Sequence, residues 1–291
     1  MYTSYFGLKE NPFSLSPDPR YLYLSPQHRD ALNCLIYGIT EKKGFTVITG
    51  GIGTGKTTIC RSLLATLDES VETALIFNSF LSDLELLETI NQEFGLPAEG
   101  AEKSKKRYID TLNTFLVDNF ARGKNAVLMI DEAQNLSHSV LEQIRMLSNL
   151  ETTQEKLIQI VLVGQPELQE ILTLPSLRQL SERITVRYDL NPLDEKEVRH
   201  YIEHRLTVAG GKDRIRFTRW AMRMIWRFSE GIPRRINAIA DRALLIGYTR
   251  GNPVVDRKTV KNAVKDMGEN YLIKVGRADR IKKGWRRLLK S

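Results

Sequence analysis

The stretch GGIGTGKTT, residues 50–58, limits what this chain can fold into more than any other part of its sequence. It satisfies the pattern G-x-x-x-x-G-K-[ST] through Gly50, Gly55, Lys56 and Thr57. The apolar run GFTVITG leads into it and a helix-forming segment follows. The motif therefore connects a buried strand to a helix, which is the context that a phosphate-binding loop requires.

Each part of this loop has a physical task. Glycines allow successive backbone N–H groups to turn toward phosphate oxygens, and the N-terminus of the following helix adds positive potential. Lys56 is expected to reach the β- and γ-phosphates, and the Thr57 hydroxyl to bind Mg²⁺. The residues predicted to hold nucleotide here are Gly50, Gly51, Ile52, Gly53, Thr54, Gly55, Lys56, Thr57 and Thr58.

A pair of carboxylates follows a second apolar run, AVLMIDEAQ. Asp131 and Glu132 stand where this strand ends, downstream of the phosphate-binding loop. We expect Asp131 to hold the Mg²⁺ shell and Glu132 to orient or deprotonate the water that attacks the γ-phosphate. The pair would mean little alone, but together with the loop it predicts nucleotide hydrolysis rather than binding only.

The alternation of elements predicts an α/β fold with a parallel sheet. Short apolar strands separated by helical segments continue to about residue 190, and such strands are typical of a sheet covered on both faces. After Pro192 the pattern is wholly helical, which predicts a domain boundary. The predicted parts are an N-terminal strap and first helix packing on the core (1–43), a nucleotide-binding core (44–191), a helical lid (192–268) and a basic amphipathic tail (269–291).

Charge is concentrated at the end of the chain. The net charge is +8, and residues 270–291 hold eight Lys or Arg and one Asp, which leaves the rest close to neutral. The body is therefore not globally basic as many DNA-binding proteins are. Cys34 and Cys60 lie in apolar helical contexts and are expected to be buried free thiols, as in a reducing cytoplasm. We expect a cytoplasmic protein, since no signal peptide or membrane-spanning run is evident.

Taken together, these motifs resemble those of an AAA+ ATPase. The phosphate-binding loop, LMIDEAQNL, IVLVGQPEL and GIPRRIN carry the resemblance, and YFGLKENPFSLSPDPRYLYLSPQHRDAL narrows it to the ExeA/GspA-like branch, over about residues 1–268. Members are bacterial ATPases of type II secretion and related pilus or exopolysaccharide export systems. The resemblance implies ATP and Mg²⁺, a sheet in the order 5-1-4-3-2 with a helical lid, and homo-oligomers with nucleotide between subunits.

The resemblance also implies roles for individual polar residues. Gln165, at the end of the fourth strand, matches the sensor 1 position, where Asn or Thr is commoner. In LRQLSERI, Arg183 fits the placement of the arginine finger best and Arg178 is the reserve. Arg234 follows Pro233 at a helix start and matches sensor 2, which would explain a cation where helices favour acidic residues. Arg235 is expected to pair with a surface carboxylate.

The tail leaves three interpretations open. Its apolar residues Ile281, Trp285, Leu288 and Leu289 gather on one helical side, which is typical of a segment lying on an anionic membrane. The same cations suit DNA phosphates, and a solvated end is the plain alternative. We expect an ATPase that powers or regulates assembly of a secretion or export machine, with a partner at the inner membrane. A DNA-associated ATPase regulating transposition is the alternative, and a nucleotide switch with negligible turnover is a third that Glu132 argues against.

Overall fold

The computed structural model describes residues 1–16, 18–77, 79–97, 104–151 and 155–268. The chain divides into two compact units. The sheet unit spans Leu24–Asn191, and the helical unit combines Met1–Tyr23 with the residues that follow Asn191. The predicted tail, 269–291, lies outside the described residues.

Five parallel strands form the centre of the sheet unit. They are β1 (Phe45–Gly50), β2 (Val71–Ile76), β3 (Asn125–Ile130), β4 (Gln159–Gly164) and β5 (Ile184–Leu190). Their order across the sheet is β2-β3-β4-β1-β5, which is the predicted 5-1-4-3-2 seen from the other edge, so this prediction is confirmed. Thr49 pairs with Gly164 and Ile130 with Leu162, so β1, β3 and β4 all end at one edge.

Twelve α-helices are found in the described part of the chain. In chain order they are α1 (Tyr2–Tyr5), α2 (Pro26–Thr40), α3 (Lys56–Thr66), α4 (Asp83–Glu93), α5 (Lys105–Ala121), α6 (His138–Leu147), α7 (Pro166–Leu172), α8 (Arg178–Arg183), α9 (Glu195–Val208), α10 (Arg219–Ser229), α11 (Pro233–Thr249) and α12 (Arg257–Asp266). Helices α2 to α8 belong to the sheet unit. The helical unit holds the others and a short parallel pair, β6 (Arg216–Phe217) and β7 (Val254–Val255).

Both faces of the sheet are covered, which is why its central strands are almost wholly apolar. Every residue of β1 and β4 is buried. Alternate residues of these strands join two separate clusters, one packed by α4 to α8 and the other by α2 and α3. Both cysteines are free thiols; Cys60 is buried, which raises its pKa to about 12, and Cys34 is half-buried.

The N-terminal strap requires a correction. Residues 1–43 were expected to pack on the nucleotide-binding core, but Met1–Tyr23 belong to the helical unit and only the helix that follows belongs to the sheet unit. Phe6, Phe13 and Tyr21 are buried in one cluster with α9 to α12. The physical reason is that the strap's apolar side chains complete the small core of the helical unit, to which β6 and β7 also contribute and which would otherwise lie open to water.

Candidate functional site

The loop between β1 and α3 has a shape that only glycine permits at several positions. Gly53 and Gly55 have φ of 79° and 107°, in the region that side chains rarely adopt. A Cβ on Gly50 would lie 2.8 Å from the carbonyl oxygen of Leu190. Thr54 is buried and donates to the Gly51 carbonyl at 2.9 Å. The result is a tight turn whose backbone can approach phosphate oxygens closely.

Lys56 lies across this turn. Its Nζ donates to the carbonyl oxygens of Gly50 at 2.8 Å and Gly51 at 3.1 Å. Burial lowers the pKa of its ammonium, and the carboxylates of Glu132 and Asp131 act in the opposite direction. A buried cation in the first turn of a helix is unfavourable unless an anion arrives, since the helix N-terminus is itself positive.

Thr57 and Asp131 meet at the carboxyl edge of the sheet. The Thr57 hydroxyl donates to Asp131 Oδ2 at 2.7 Å, although the two residues are 74 positions apart. This oxygen pair fits Mg²⁺, which is typically bound by one or two carboxylates, hydroxyls and phosphate oxygens rather than by an all-protein cage. The described residues hold no group of three or more His, Cys, Asp or Glu side chains that could bind a metal ion.

Glu132 has a fixed backbone and a tethered side chain. It adopts φ 52° and ψ 36°, its N–H donates to Asp131 Oδ1 at 2.9 Å, and its carbonyl accepts from Ser79 Oγ at 2.8 Å. Its Oε2 accepts from the amides of Gln134 at 2.6 Å and Gln165 at 3.1 Å. Burial raises the pKa of its carboxyl, but the two amides and the Lys56 charge lower it more, so the net direction is down. Gln165 thus lies beside the predicted base.

Sequence reasoning missed His28, which supports the loop from behind. His28 lies in the first turn of α2, is 4% exposed, and its Nε2–H donates to the Thr54 carbonyl at 3.1 Å. Its Nδ1 therefore accepts the Ser25 hydroxyl at 2.7 Å. A single sequence offers little signal for such a role, because a lone His near a helix start has many ordinary explanations.

The two candidates for the arginine finger, Arg183 and Arg178, have different surroundings. Arg183 is half-buried, and its Nη1 donates to Ser148 Oγ at 2.6 Å and to the Arg145 carbonyl at 3.2 Å. These groups end α6, where a cation is favoured by the helix dipole. Arg178 is 79% exposed, and among the described residues it pairs with one partner, Glu182 on its own helix, at 2.8 Å.

Two adjacent arginines in the first turn of α11 have different surroundings. The helix begins at Pro233 with no side-chain cap and no acidic residue in its first turn. Arg235 pairs with Glu230 at 2.7 Å, which confirms its predicted carboxylate partner. Arg234 is exposed and makes no hydrogen bond or ion pair with any residue that the structure describes. It lies in the helical unit, away in sequence from the loop residues described above.

Sequence comparisons relate the chain to known proteins. A family model described as an AAA domain matches residues 39–172. Over 252 residues, 87% of this chain, the sequence is 49% identical to general secretion pathway protein A of Aeromonas hydrophila. The chain spans 46% of the length of that relative.

Solved structures of the same fold come from distant proteins. Cdc6p of Pyrobaculum aerophilum matches with a TM-score of 0.70 at 17% identity, covering 89% of this chain and 71% of that one. ORC2 of Aeropyrum pernix, in ADPNP and ADP complexes, matches with 0.64 at 18% identity, covering 89% and 72%. The Thermotoga maritima RuvB branch migration motor matches with 0.52 at 16% identity, covering 83% and 69%. Likeness at such identities concerns the fold alone.

Proposed function

The chain belongs to the AAA+ family, in its ExeA/GspA-like branch, and from that premise we propose that it hydrolyses ATP to ADP and phosphate in a Mg²⁺-dependent reaction. Turnover would power or regulate the assembly of a bacterial secretion machine at the inner membrane. The observation that carries the proposal is the meeting of Thr57, Asp131 and Glu132 at the carboxyl ends of β1 and β3. The similarity to general secretion pathway protein A supports the proposed role in secretion.

The proposed chemistry divides among the residues of the loop and the strand ends. The backbone N–H groups of the loop and Lys56 bind the phosphates, for which Lys56 leaves the carbonyls that it now contacts. Thr57 and Asp131 would hold Mg²⁺, which would neutralise charge on the phosphate oxygens. Glu132 accepts a hydrogen bond from the attacking water and takes its proton, while Gln165 orients the same water.

We propose that the active form is a homo-oligomer in which an arginine completes a neighbouring subunit's site. We propose Arg178, rather than Arg183, as the arginine finger. Arg178 is exposed and pairs with the exposed Glu182, which is a weak interaction to give up, whereas Arg183 is hydrogen-bonded at the end of α6. Arg234 would contact nucleotide within its own subunit, since an exposed cation at a helix start gains most from an incoming phosphate.

We further propose that the protein works at the cytoplasmic face of the inner membrane and attaches to it peripherally. None of the helices described is long and apolar enough to cross a bilayer. The helical unit, however, has what we call the basic lid surface: Arg219, Trp220, Arg223, Arg257, Lys258 and Lys261, all exposed. Trp220 is 60% exposed and lies with Lys258 and Lys261 around a groove of about 580 Å³.

The composition of the basic lid surface suits an anionic membrane. Asp256 also lines the groove, but its carboxylate accepts from the N–H and hydroxyl of Thr259 and caps α12. Tryptophan favours the headgroup region of bilayers, and each Lys or Arg near an anionic surface contributes about 1 kcal/mol. The cationic tail follows α12 directly in the sequence and would add to the same attraction.

The test of hydrolysis separates binding from turnover. Lys56→Ala should abolish nucleotide binding, whereas Glu132→Gln should keep ATP and Mg²⁺ but lose turnover, because only Glu132 acts on the water. Binding is measured by titration with a fluorescent ATP analogue and turnover by phosphate release. Lys106→Ala and Glu69→Gln, both at exposed positions, are the matched controls. Wild-type turnover in Glu132→Gln would show that the base is assigned to the wrong residue.

A further inference from the structure

Glu132, Gln134 and Gln165 form a closed ring of hydrogen bonds. Gln134 uses both ends of its amide: Nε2 donates to Glu132 Oε2 at 2.6 Å, and Oε1 accepts the backbone N–H of Gln165 at 3.0 Å. The side chain of Gln165 returns to the same Glu132 oxygen at 3.1 Å. We propose that Gln134 is a positioning residue that holds the Glu132 carboxylate in its working orientation and ties it to the end of β4.

The backbone on either side of the ring is already fixed, so the ring controls the side chain. Glu132 has positive φ, which costs a non-glycine residue free energy that its surroundings must offset. The Asp131 carboxylate and the Ser79 hydroxyl bind its N–H and carbonyl. With the backbone held at both groups, the remaining freedom of Glu132 lies in its side-chain torsions, and the two amides remove it.

The ring leaves one carboxylate oxygen for chemistry. Both amide donors bind Oε2, so among the described residues Oε1 stays available to accept a proton from water. A neutral amide suits this task, because it donates a hydrogen bond but neither loses nor gains a proton at ordinary pH. A carboxylate held by one oxygen and open at the other has the arrangement that a positioned general base requires.

The end of β4 is shaped to receive Gln134. A Cβ on Gly164 would lie 3.0 Å from Gln134 Oε1 and 2.8 Å from a Leu168 methyl carbon. Gln165 occupies the N-cap position of α7 without a side-chain capping hydrogen bond, and Pro166 is the first residue of the helix. Gln134 thereby connects the 3-10 turn after β3 to the start of α7, and a shift at the Gln165 position would move the base with it.

This inference rests on the proposed ATP hydrolysis, and its test uses kinetics and nucleotide affinity together. Gln134→Leu keeps a similar side-chain volume and removes both polar ends. We expect kcat to fall by about 10- to 100-fold, less than the roughly 10²- to 10⁴-fold that a general base itself contributes, because the base is misoriented rather than removed. The affinity for a fluorescent ATP analogue should change less than about twofold. Gln92→Leu, at an exposed position of α4, is the matched control and should match wild type.

Two further variants distinguish positioning of the base from support of the strand end. Gln134→Glu still accepts the Gln165 N–H but places a second carboxylate against Glu132, so its kcat should fall at least as far as that of Gln134→Leu. Wild-type kcat in Gln134→Glu would overturn the proposal. The double variant Gln134→Leu/Gln165→Leu should lose little more than the single variants, since they break one ring, and multiplied losses would also overturn it.

A measurement without nucleotide completes the test. In the apo protein, Glu132→Ala should shift the side-chain amide NMR signals of both Gln134 and Gln165 and leave that of Gln92 in place. Unmoved signals would contradict the ring. The proposed function and this inference fail in different ways. Wild-type turnover in Glu132→Gln would reject Glu132 as the general base. An inactive Glu132→Gln together with a fully active Gln134→Leu would reject only the positioning role of Gln134.

Discussion

Arg234 and Arg235 are neighbours in sequence, yet they have opposite environments. Arg235 pairs with Glu230, while Arg234, in the first turn of α11, is exposed and has no hydrogen-bond or ion-pair partner among the described residues. A cation in that turn opposes the helix dipole by about 0.3–1 kcal/mol. No contact among the described residues gives Arg234 a role in the fold of the helical unit, and this is the basis of our proposal that it contacts nucleotide.

For Arg234→Ala we expect an apo protein as stable as wild type or up to about 1 kcal/mol more stable, since the unfavourable cation is gone. Turnover should fall by about one to several orders of magnitude, as it does when a charge that stabilises phosphoryl transfer is removed. Thermal melts with and without ATP, together with phosphate release, measure both effects.

Arg235→Ala is the control for this prediction. It should change apo stability and turnover little, because an exposed ion pair contributes about 0–1 kcal/mol. A strong loss of apo stability in Arg234→Ala would show that Arg234 is structural, and the sensor 2 assignment would then be withdrawn.

At the scale of elements, the strap and α9 depend on one buried guanidinium. Arg205 is 6% exposed and donates to the Pro12 carbonyl, to the Ser14 carbonyl at 3.2 Å and to the Tyr201 hydroxyl at 3.0 Å. Its guanidinium carbon lies 4.6 Å from the centre of the Tyr21 ring. Arginine suits this position because one planar group reaches several acceptors and stacks on an aromatic face.

Arg205→Leu should therefore destabilise the helical unit by about 2–4 kcal/mol, since buried carbonyls lose their donors. The expected signs are a lower melting temperature and faster proteolysis within the first 23 residues. Arg199→Leu, six residues earlier on α9 and exposed, should have little effect. Equal melting temperatures for the two variants would mean that the strap is held by its apolar side chains alone.

The finger assignment belongs to α8 and is tested by mixing subunits. Arg178→Ala should lower turnover by about 10³-fold or more and leave the melt unchanged, as expected for a group that acts in a neighbouring site. Mixed with Lys56→Ala, it should recover activity at interfaces that pair an intact finger with an intact loop. Arg183→Ala should instead lower the melting temperature, because α6 loses its C-terminal cation.

If mixing with Lys56→Ala restores activity to Arg183→Ala but not to Arg178→Ala, Arg183 is the arginine finger and Arg178 is not. Arg234→Ala, proposed to act within its own subunit, should not recover when mixed with Lys56→Ala.

At the scale of the whole molecule, charge is distributed very unevenly. The tail holds nearly all of the net +8, and the basic lid surface adds a local positive region to a body that is close to neutral. The two regions are adjacent in sequence, since α12 ends at Asp266 and the tail begins a few residues later. Such an arrangement attracts anionic surfaces, and it weakens as salt screens the charges.

Deleting residues 270–291 should leave folding and basal turnover intact and weaken co-sedimentation with anionic vesicles in low salt, because eight cations are removed. Lys258→Glu/Lys261→Glu should weaken it further, and vesicles of neutral lipid are the control. Equal sedimentation of intact and truncated protein would reject membrane attachment by the tail. Salt-sensitive duplex DNA binding that truncation abolishes would favour the DNA-associated alternative instead.

The sequence by itself determined the strands, the phosphate-binding loop and the carboxylates after β3, because each depends on neighbours within a few residues. Periodicity places strands and helices, and the loop motif must follow a strand and begin a helix. The strand order came from the family resemblance rather than from local pattern, and the structure confirmed it. The assignment of residues to catalysis remains a prediction, and the structure adds the hydrogen-bond distances between Thr57 and Asp131 and between Glu132 and Gln165.

Only the tertiary structure decided which distant residues share a site. Gln134 and Gln165 are 31 positions apart and meet because β3 and β4 are neighbours that end at one edge. His28 reaches Thr54 because α2 packs beside β1, and the strap joins the helical unit although more than 150 residues separate it from α9. A hydrogen-bonding side chain in a sequence has many possible partners, and long-range packing selects one of them.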